Sequence, residues 1–395
     1  MKKLVLLLIV LVLMAAAYFF GRMNASKVVS APPASWAEDN LSATAWRELV
    51  VSLEAAGATV FSATENSQDR LEGLQQLANL LSVSLEMKVS KSNAAAPKFT
   101  NWMSGYRKIL GDSPDAIYHT AEISSDFRYE VTGNVGDTDY LGFMLYGTGL
   151  NGWNRAAANL GNDALNTDEN GNFKIVLSTD KPAGSDVNWL ALEDDIHLIM
   201  VRQYFHDRPN SAEATLLIRN LDPIDFEYPD DKTLASNIQN ATEFFNSTLS
   251  GVVALTQMIS ADPNSAEPPK GYNEDFAGIF YPTHDNEYLG TWFKVAEDEA
   301  LIIEGEVPNA PYWSASLQNR WLQSLDYEHH QVSLNDTQIK TSEDRFRIVL
   351  SHRKPEHENW LSAAGHEEGL LAIRYQQPRS DTTPPTLTLV KFEDL

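Results

Sequence analysis

Phe173-Lys-Ile-Val-Leu-Ser178, Asn188-Trp189-Leu190 and Ile199-Met-Val-Arg202 recur, in the same order, as Phe346-Arg-Ile-Val-Leu-Ser351, Asn359-Trp360-Leu361 and Leu371-Ala-Ile-Arg374. A proline, Pro182 or Pro355, stands between the first two pieces each time, and the gaps differ only as loops do. One supersecondary unit is used twice, so the chain carries two related halves. Phe173, Ile175 and Leu177 fall on one strand face, and Phe346, Ile348 and Leu350 match them. Period-two alternation of this kind predicts antiparallel sheet with one face on a core.

Working outward, a looser repeat keeps its order through Tyr118/Tyr288, Ile123/Val295, Gly133/Gly305 and Tyr140/Tyr312. Strands are expected at 129–133, 140–146, 173–178, 197–205 and 214–220, separated by Gly, Asp and Asn. The expected fold is mainly β with helical additions: two duplicated jelly-roll-like β-sandwich halves, an N-terminal helical region and one inter-half helix. Residues 101–230 are assigned to the first half, 231–262 to the linking helix and 263–395 to the second half. Residues 27–100 form a tether and a helical region. Its first helix carries Trp36, Leu41, Trp46, Leu49, Val50 and Leu53 and ends at Gly57. Its second spans 67–88, with Leu71, Leu74, Leu77, Leu81 and Leu85 as the stripe expected to pack inward. The clearest linker is 261–271, which holds Pro263, Pro268 and Pro269.

The chain has 395 residues, 43% of them apolar, and nine Trp, enough for two domains with their own cores. Asp and Glu outnumber Lys and Arg by 54 to 30, for a formal charge of -24. That field repels phosphate backbones and argues against a nucleic-acid partner. There is no cysteine, which excludes disulfides, thiol nucleophiles and cysteine-ligated metals.

Residues 1–26 are expected to be a membrane anchor or signal segment. Lys2 and Lys3 precede an uncharged apolar run that opens at Leu4 and closes at Phe20. Its 17 residues would span roughly 25 Å as a helix, at the short end for a bilayer. Ala15-Ala16-Ala17 offers a small-residue cleavage site as the rival reading. Both readings place the rest of the chain in the cell envelope, either as a periplasmic ectodomain anchored in the inner membrane or as a secreted periplasmic protein.

The chain resembles a bacterial family, the domain of unknown function 1214, from about Asp112 onward. The resemblance rests on Pro114-Asp115-Ala-Ile-Tyr118, on Asn188-Trp189-Leu190 followed by Val201-Arg202-Gln203-Tyr204-Phe205, and on Pro355, Asn359-Trp360-Leu361 and Ala364-Gly365-His366-Glu-Glu-Gly369. It implies a β-sandwich of jelly-roll type, and it implies neither an activity nor catalytic residues.

Candidate binding residues come from the repeat: Asn188, Trp189, Arg202 and Tyr204, with Asn359, Trp360 and Arg374. An Arg on an apolar strand face needs a carboxylate, carbonyls or an aromatic plane, because its charge cannot be shed. Trp189 and Trp360 are the expected planes, with Asn188 and Asn359 bracing the loops. A fold requirement explains the repetition first; gripping an anionic or sugar-like ligand is the functional alternative. His352, His357 and His366 are the candidate metal ligands, and a divalent metal is the one cofactor they leave open.

Gly147-Thr-Gly149-Leu-Asn-Gly152 matches a dinucleotide fingerprint without a βαβ unit, the next candidate helix being only 153–160. Asn166-Thr-Asp168-Glu-Asn170-Gly171 resembles half a calcium loop and reads better as a tight turn. The expected function is binding of a small molecule or glycan between the halves, with Trp153, Trp292, Tyr312, Trp313 and Trp321 as a sugar platform if they are not core. A metal-assisted hydrolase or lyase and a non-catalytic envelope scaffold are the alternatives.

Overall fold

Both copies of the repeated stretch are strands, and their register shows how far the duplication runs. The computed structural model describes residues 39–90, 93–149, 153–184, 187–223, 228–267 and 278–395. The apolar run from Leu4 to Phe20 lies outside them, as do parts of the glycine-rich loop and of the proline linker. No helix among the described residues is long and apolar enough to cross a membrane.

Two helices come first, α1 (Leu41–Ser62) and α2 (Ser67–Leu85). The first half then supplies β1 (Thr100–Asn101), β2 (Ala116–Glu122), β3 (Tyr129–Asn134), β4 (Tyr140–Thr148), β5 (Asn154–Leu160), β6 (Asn172–Ser178), β7 (Asn188–Ala191), β8 (Leu198–Tyr204) and β9 (Thr215–Asn220). Helix α3 (Asp231–Ile259) separates the halves. The second half supplies β10 (Asn286–Lys294), β11 (Glu299–Glu306), β12 (Tyr312–Gln318), β13 (Ser333–Asn335), β14 (Thr341–Ser342), β15 (Arg345–Ser351), β16 (Trp360–Ser362), β17 (Glu368–Gln376) and β18 (Thr386–Lys391). Asn40, Asn66 and Asp230 cap the three helices by accepting the N–H groups of Ala43, Asp69 and Thr233.

Each half is a sandwich of two sheets. The first has the orders β1-β2-β8-β4-β5 and β7-β6-β3-β9. The second has β10-β17-β12-β13, and β14-β15-β11-β18 with β16 added on β15. The path β2-β8-β4 thus matches β10-β17-β12, and β7-β6-β3-β9 matches β16-β15-β11-β18. Residue pairing agrees: Tyr118 stands opposite Arg202 and Tyr288 opposite Arg374. Gly133 pairs with Phe173 and Gly305 with Phe346. Tyr140 pairs with Tyr204 and Tyr312 with Gln376.

Alternation along the central strands explains the layering. On β8, Ile199 and Val201 enter the core of their own sandwich, while Leu198, Met200 and Tyr204 face the other half. On β17, Leu371, Ile373 and Tyr375 point inward, and Leu370 and Ala372 face across. Both central sheets are therefore buried on two faces, and the body has a third apolar core where the halves meet, completed by the helices.

Three local expectations change. Helix α1 passes through Gly57 and ends at Ser62, its last turn held by packing of the fully buried Val60 in the core rather than by helix propensity. Residues 153–160 form β5 on the edge of β4, so the expected short helix is a strand. On α2, Leu71 and Leu74 face solvent, and the packed side is Gly73, Gln76, Leu80 and Val83. The cause is a close approach: a Cβ on Gly73 would lie 2.5 Å from Val60 and 2.6 Å from Trp321. Trp321 fixes the contact by donating its indole N–H to Asp69 O at 2.7 Å.

Candidate functional site

The Asn-Trp pairs do structural work away from the interface. Asn188 donates to Asn166 O and Lys174 O at 2.8 and 3.0 Å and accepts Asn166 N–H at 2.8 Å. Asn359 repeats this with Lys340 O, Arg347 O and Lys340 N–H at 2.7, 2.9 and 2.7 Å. The indoles of Trp189 and Trp360 donate to the Ser178 and Ser351 hydroxyls, each at 3.1 Å. Both tryptophans sit in outer sheets, so neither supplies the aromatic plane expected for Arg202 or Arg374. Lys181 approaches the Trp189 ring at 5.8 Å, and Arg202 lies instead 5.9 Å from the Tyr146 ring.

The candidate histidines do not converge. His352 bonds Val295 O at 3.0 Å, His357 meets Asn359 N at 3.2 Å, and His366 bonds Glu72 at 2.8 Å. No group of three or more His, Cys, Asp or Glu among the described residues is arranged to hold a metal ion. Asp168 accepts Asn170 N–H and Asn172 N–H at 2.9 and 2.8 Å, which makes the calcium-like stretch a turn into β6. Trp292, Trp313 and Trp321 are fully buried, so they offer no sugar platform.

What does converge lies between the central sheets. Asp115 and Asp285 each stand three residues before the matched Tyr118 and Tyr288. Tyr312 Oη donates to Asp115 and Tyr140 Oη to Asp285, both at 2.8 Å. Each half thus holds the other by the same bond. The arginines repeat the exchange: Arg202 donates to Tyr281 O at 2.6 Å, and Arg374 donates to Gly111 O at 2.7 Å. Tyr146 donates to Pro282 O at 3.0 Å, and Gln318, at its matched position, to Asp112 O at 3.4 Å. Reciprocal pairing of this kind is the signature of an isologous two-fold interface, here within one chain.

A cavity of about 340 Å³ opens at this interface. Arg202, Tyr204 and Arg374 line it, with Tyr118 and Tyr288 beside them. Its remaining wall is mainly apolar and includes Trp102, Met103, Met200, Leu255, Ile259, Leu322 and Leu370. Both arginines are nearly inaccessible, yet neither is within ion-pair distance of a carboxylate among the described residues. Arg202 also donates to Tyr146 Oη at 2.9 Å, and Arg374 to Ser316 Oγ at 2.7 Å. The Arg202 bonds to Tyr146 and Tyr281 both leave from Nη2. Tyr118 and Tyr204 share a 3.3 Å hydroxyl contact.

Burial pushes the Tyr118 and Tyr204 hydroxyls up, against the pull of the guanidiniums, and takes Tyr146 to about 12. They stay neutral at pH 7 and cannot balance the arginines. Trp102 and Gln318 also line the cavity, and Trp102 Nε1 and Gln318 Oε1 are buried with no hydrogen-bond partner among the described residues. Sequence reasoning placed Arg202, Tyr204 and Arg374 here and missed Asp115, Asp285 and Tyr281. The repeated Asp-x-x-Tyr, Asp115 to Tyr118 and Asp285 to Tyr288, was the available signal.

Among solved structures, an uncharacterized protein from Burkholderia cenocepacia is similar at 27% identity and a TM-score of 0.83, over 90% of this chain and 99% of that one. The VPA0106 protein from Vibrio parahaemolyticus is 11% identical with a TM-score of 0.47, over 80% of this chain and 97% of that one. No curated protein matches the chain. The family model described as a protein of unknown function, DUF1214, matches residues 142–207 and 279–380. Those two regions carry the matched strand pairs β4 and β8, and β12 and β17, one pair in each half. These are the regions over which the chain is similar to the DUF1214 family.

Proposed function

We propose that the protein binds a small, largely apolar molecule in the cavity between its halves. The observation that carries this reading is the cavity itself: about 340 Å³ of space at an interface otherwise closed by matched bonds. Its size and apolar wall with a few convergent polar groups suit a small ligand. Buried Trp292, Trp313 and Trp321 weigh against the glycan alternative, and the histidines lie apart, with no metal-ligand group among the described residues.

Export belongs to the same proposal and rests on the apolar run from Leu4 to Phe20. A C-terminal alkaline phosphatase fusion, active only outside the cytoplasm, tests it, and an inactive fusion of full length removes it.

The binding test is a thermal-shift panel of apolar small molecules and oligosaccharides on the purified chain. A ligand present at a hundred times its Kd adds about 2.7 kcal/mol, enough to raise the Tm by several degrees. Apolar compounds are expected to do so and oligosaccharides to leave it unmoved. A Tm unmoved by every apolar compound sinks the reading.

A further inference from the structure

The cavity has a polar end whose chemistry its apolar wall does not explain. Arg202 and Arg374 come from matched positions on β8 and β17, at 5% and 4% exposure, and both reach one space. A guanidinium cannot lose its charge, and burying one without a counter-charge is costly. Carbonyls and hydroxyls satisfy part of each fork and neutralise neither. The buried acid Asp112 is engaged by Ser324 N–H and Oγ at 2.9 and 2.6 Å. Lys108 acts on its charge more strongly than Arg374 does, so Asp112 serves Arg374 only in part and is not within ion-pair distance of it among the described residues.

We propose that the ligand is an amphipathic monoanion, a carboxylate on a medium-length apolar body, with its acid group set between Arg202 and Arg374. This rests on the cavity being a binding site and names what enters it. A carboxylate matches the planar fork of a guanidinium and is twice as strong an acceptor as a neutral oxygen. The apolar body takes the wall formed by Trp102, Met103, Leu255 and Ile259. The formal charge of -24 opposes the approach of any anion, so selectivity must come from these two local cations.

Calorimetry on the full chain with decanoate, decanol and inorganic phosphate tests the idea, since the first two share a body and differ in the acid. Decanoate is expected to bind at least about tenfold tighter than decanol, the size of one charge-assisted contact. Arg202→Met and Arg374→Met are each expected to erase that preference. Because both arginines also tie the halves together, the comparison on the unaltered chain decides the matter if a variant fails to fold. Equal affinity for decanol and decanoate overturns the carboxylate assignment while leaving the cavity reading intact. Phosphate binding as tightly as decanoate overturns the amphipathic part. Binding of neither decanoate nor decanol removes the cavity reading, and this one with it.

Discussion

The first half places Tyr146 where the second places Gln318, and Tyr204 where the second places Gln376. Register fixes both matches: Tyr146 and Gln318 oppose Leu198 and Leu370, while Tyr204 and Gln376 oppose Tyr140 and Tyr312. The bracing and clasping positions, by contrast, are alike. Asn188 and Asn359 brace the same loop, Asp115 and Asp285 accept the same tyrosine, and Arg202 and Arg374 reach the same carbonyl position. The contrast separates two demands on one scaffold. Groups that join the halves must fit each other twice, so they stay paired. Tyr204 and Gln318 line the cavity while their counterparts Gln376 and Tyr146 do not, so the two halves line it unequally. An asymmetric cavity on a near-symmetric frame gives a ligand one preferred orientation.

The largest expected departure from symmetry comes from a matched glycine pair. A Cβ at Gly133 would collide with the Thr215 carbonyl, whereas one at Gly305 would lie 2.7 Å from the Phe346 ring. A ring can shift and a paired strand cannot. Gly133→Ala should cost about 3 kcal/mol and Gly305→Ala about half that, read from chemical denaturation midpoints. Equal costs would break this part of the comparison.

Asn188→Ala and Asn359→Ala should each cost about 2 kcal/mol, because each strands three backbone groups of a part-buried loop. Equality is the prediction here. A ratio above two in the same denaturation experiment would show that one copy is no longer structural.

The acid clasp should be less even. Asp115 accepts from both Tyr312 and Asn335, at 2.8 and 3.1 Å. Asp285 accepts from Tyr140 alone, and its Oδ1 has no partner among the described residues. Asp115→Asn is expected to cost about 1.5 kcal/mol and Asp285→Asn less than about 1. The reverse order would mean that the two sides of the interface carry unequal loads for another reason.

The smallest effect is a pH dependence found on one side only. His206 bridges Asp139 at 2.8 Å and Asp336 at 3.0 Å, beside the Tyr312 ring and the charge of Asp115. Pro378 occupies the matching position in the second half. The hydrogen bond to Asp336, opposed by burial and aided by Asp139, raises the imidazole from 6.5 to about 9. A raised pKa means that the folded state holds its proton longer. The contribution is therefore complete below pH 6.5 and lost as pH rises through about 9. Screening at this partly exposed group reduces it to about 1 kcal/mol. Thermal melts of His206→Gln against the unaltered chain should differ at pH 6 and converge above pH 9. A constant difference across that range would remove the bridge.

Much of the frame was legible because it is written in short-range patterns. The alternation of Phe173, Ile175 and Leu177 is a property of one strand, and its recurrence at Phe346, Ile348 and Leu350 announces the second sandwich. Arg202 on a face with Leu198 and Met200 marked a charge that needed an explanation. The Leu71 and Leu74 stripe misled because helical spacing records which residues are apolar and not which side a neighbour approaches. Gly73, with no side chain, is the residue that lets Trp321 in. Trp189 misled for a related reason: it is near Arg202 in sequence but lies in the other sheet of the sandwich.

By itself the sequence determined that two β copies exist, where the repeated strands fall and which polar residues lie on apolar faces. Each of these follows from spacing over a few residues. Tertiary structure alone decided that the copies meet through their central sheets, that Tyr312 reaches back 197 residues to Asp115, and that a cavity survives between Arg202 and Arg374. Those contacts join positions whose separation leaves no local period to read. They depend on which faces come together once both sandwiches have formed.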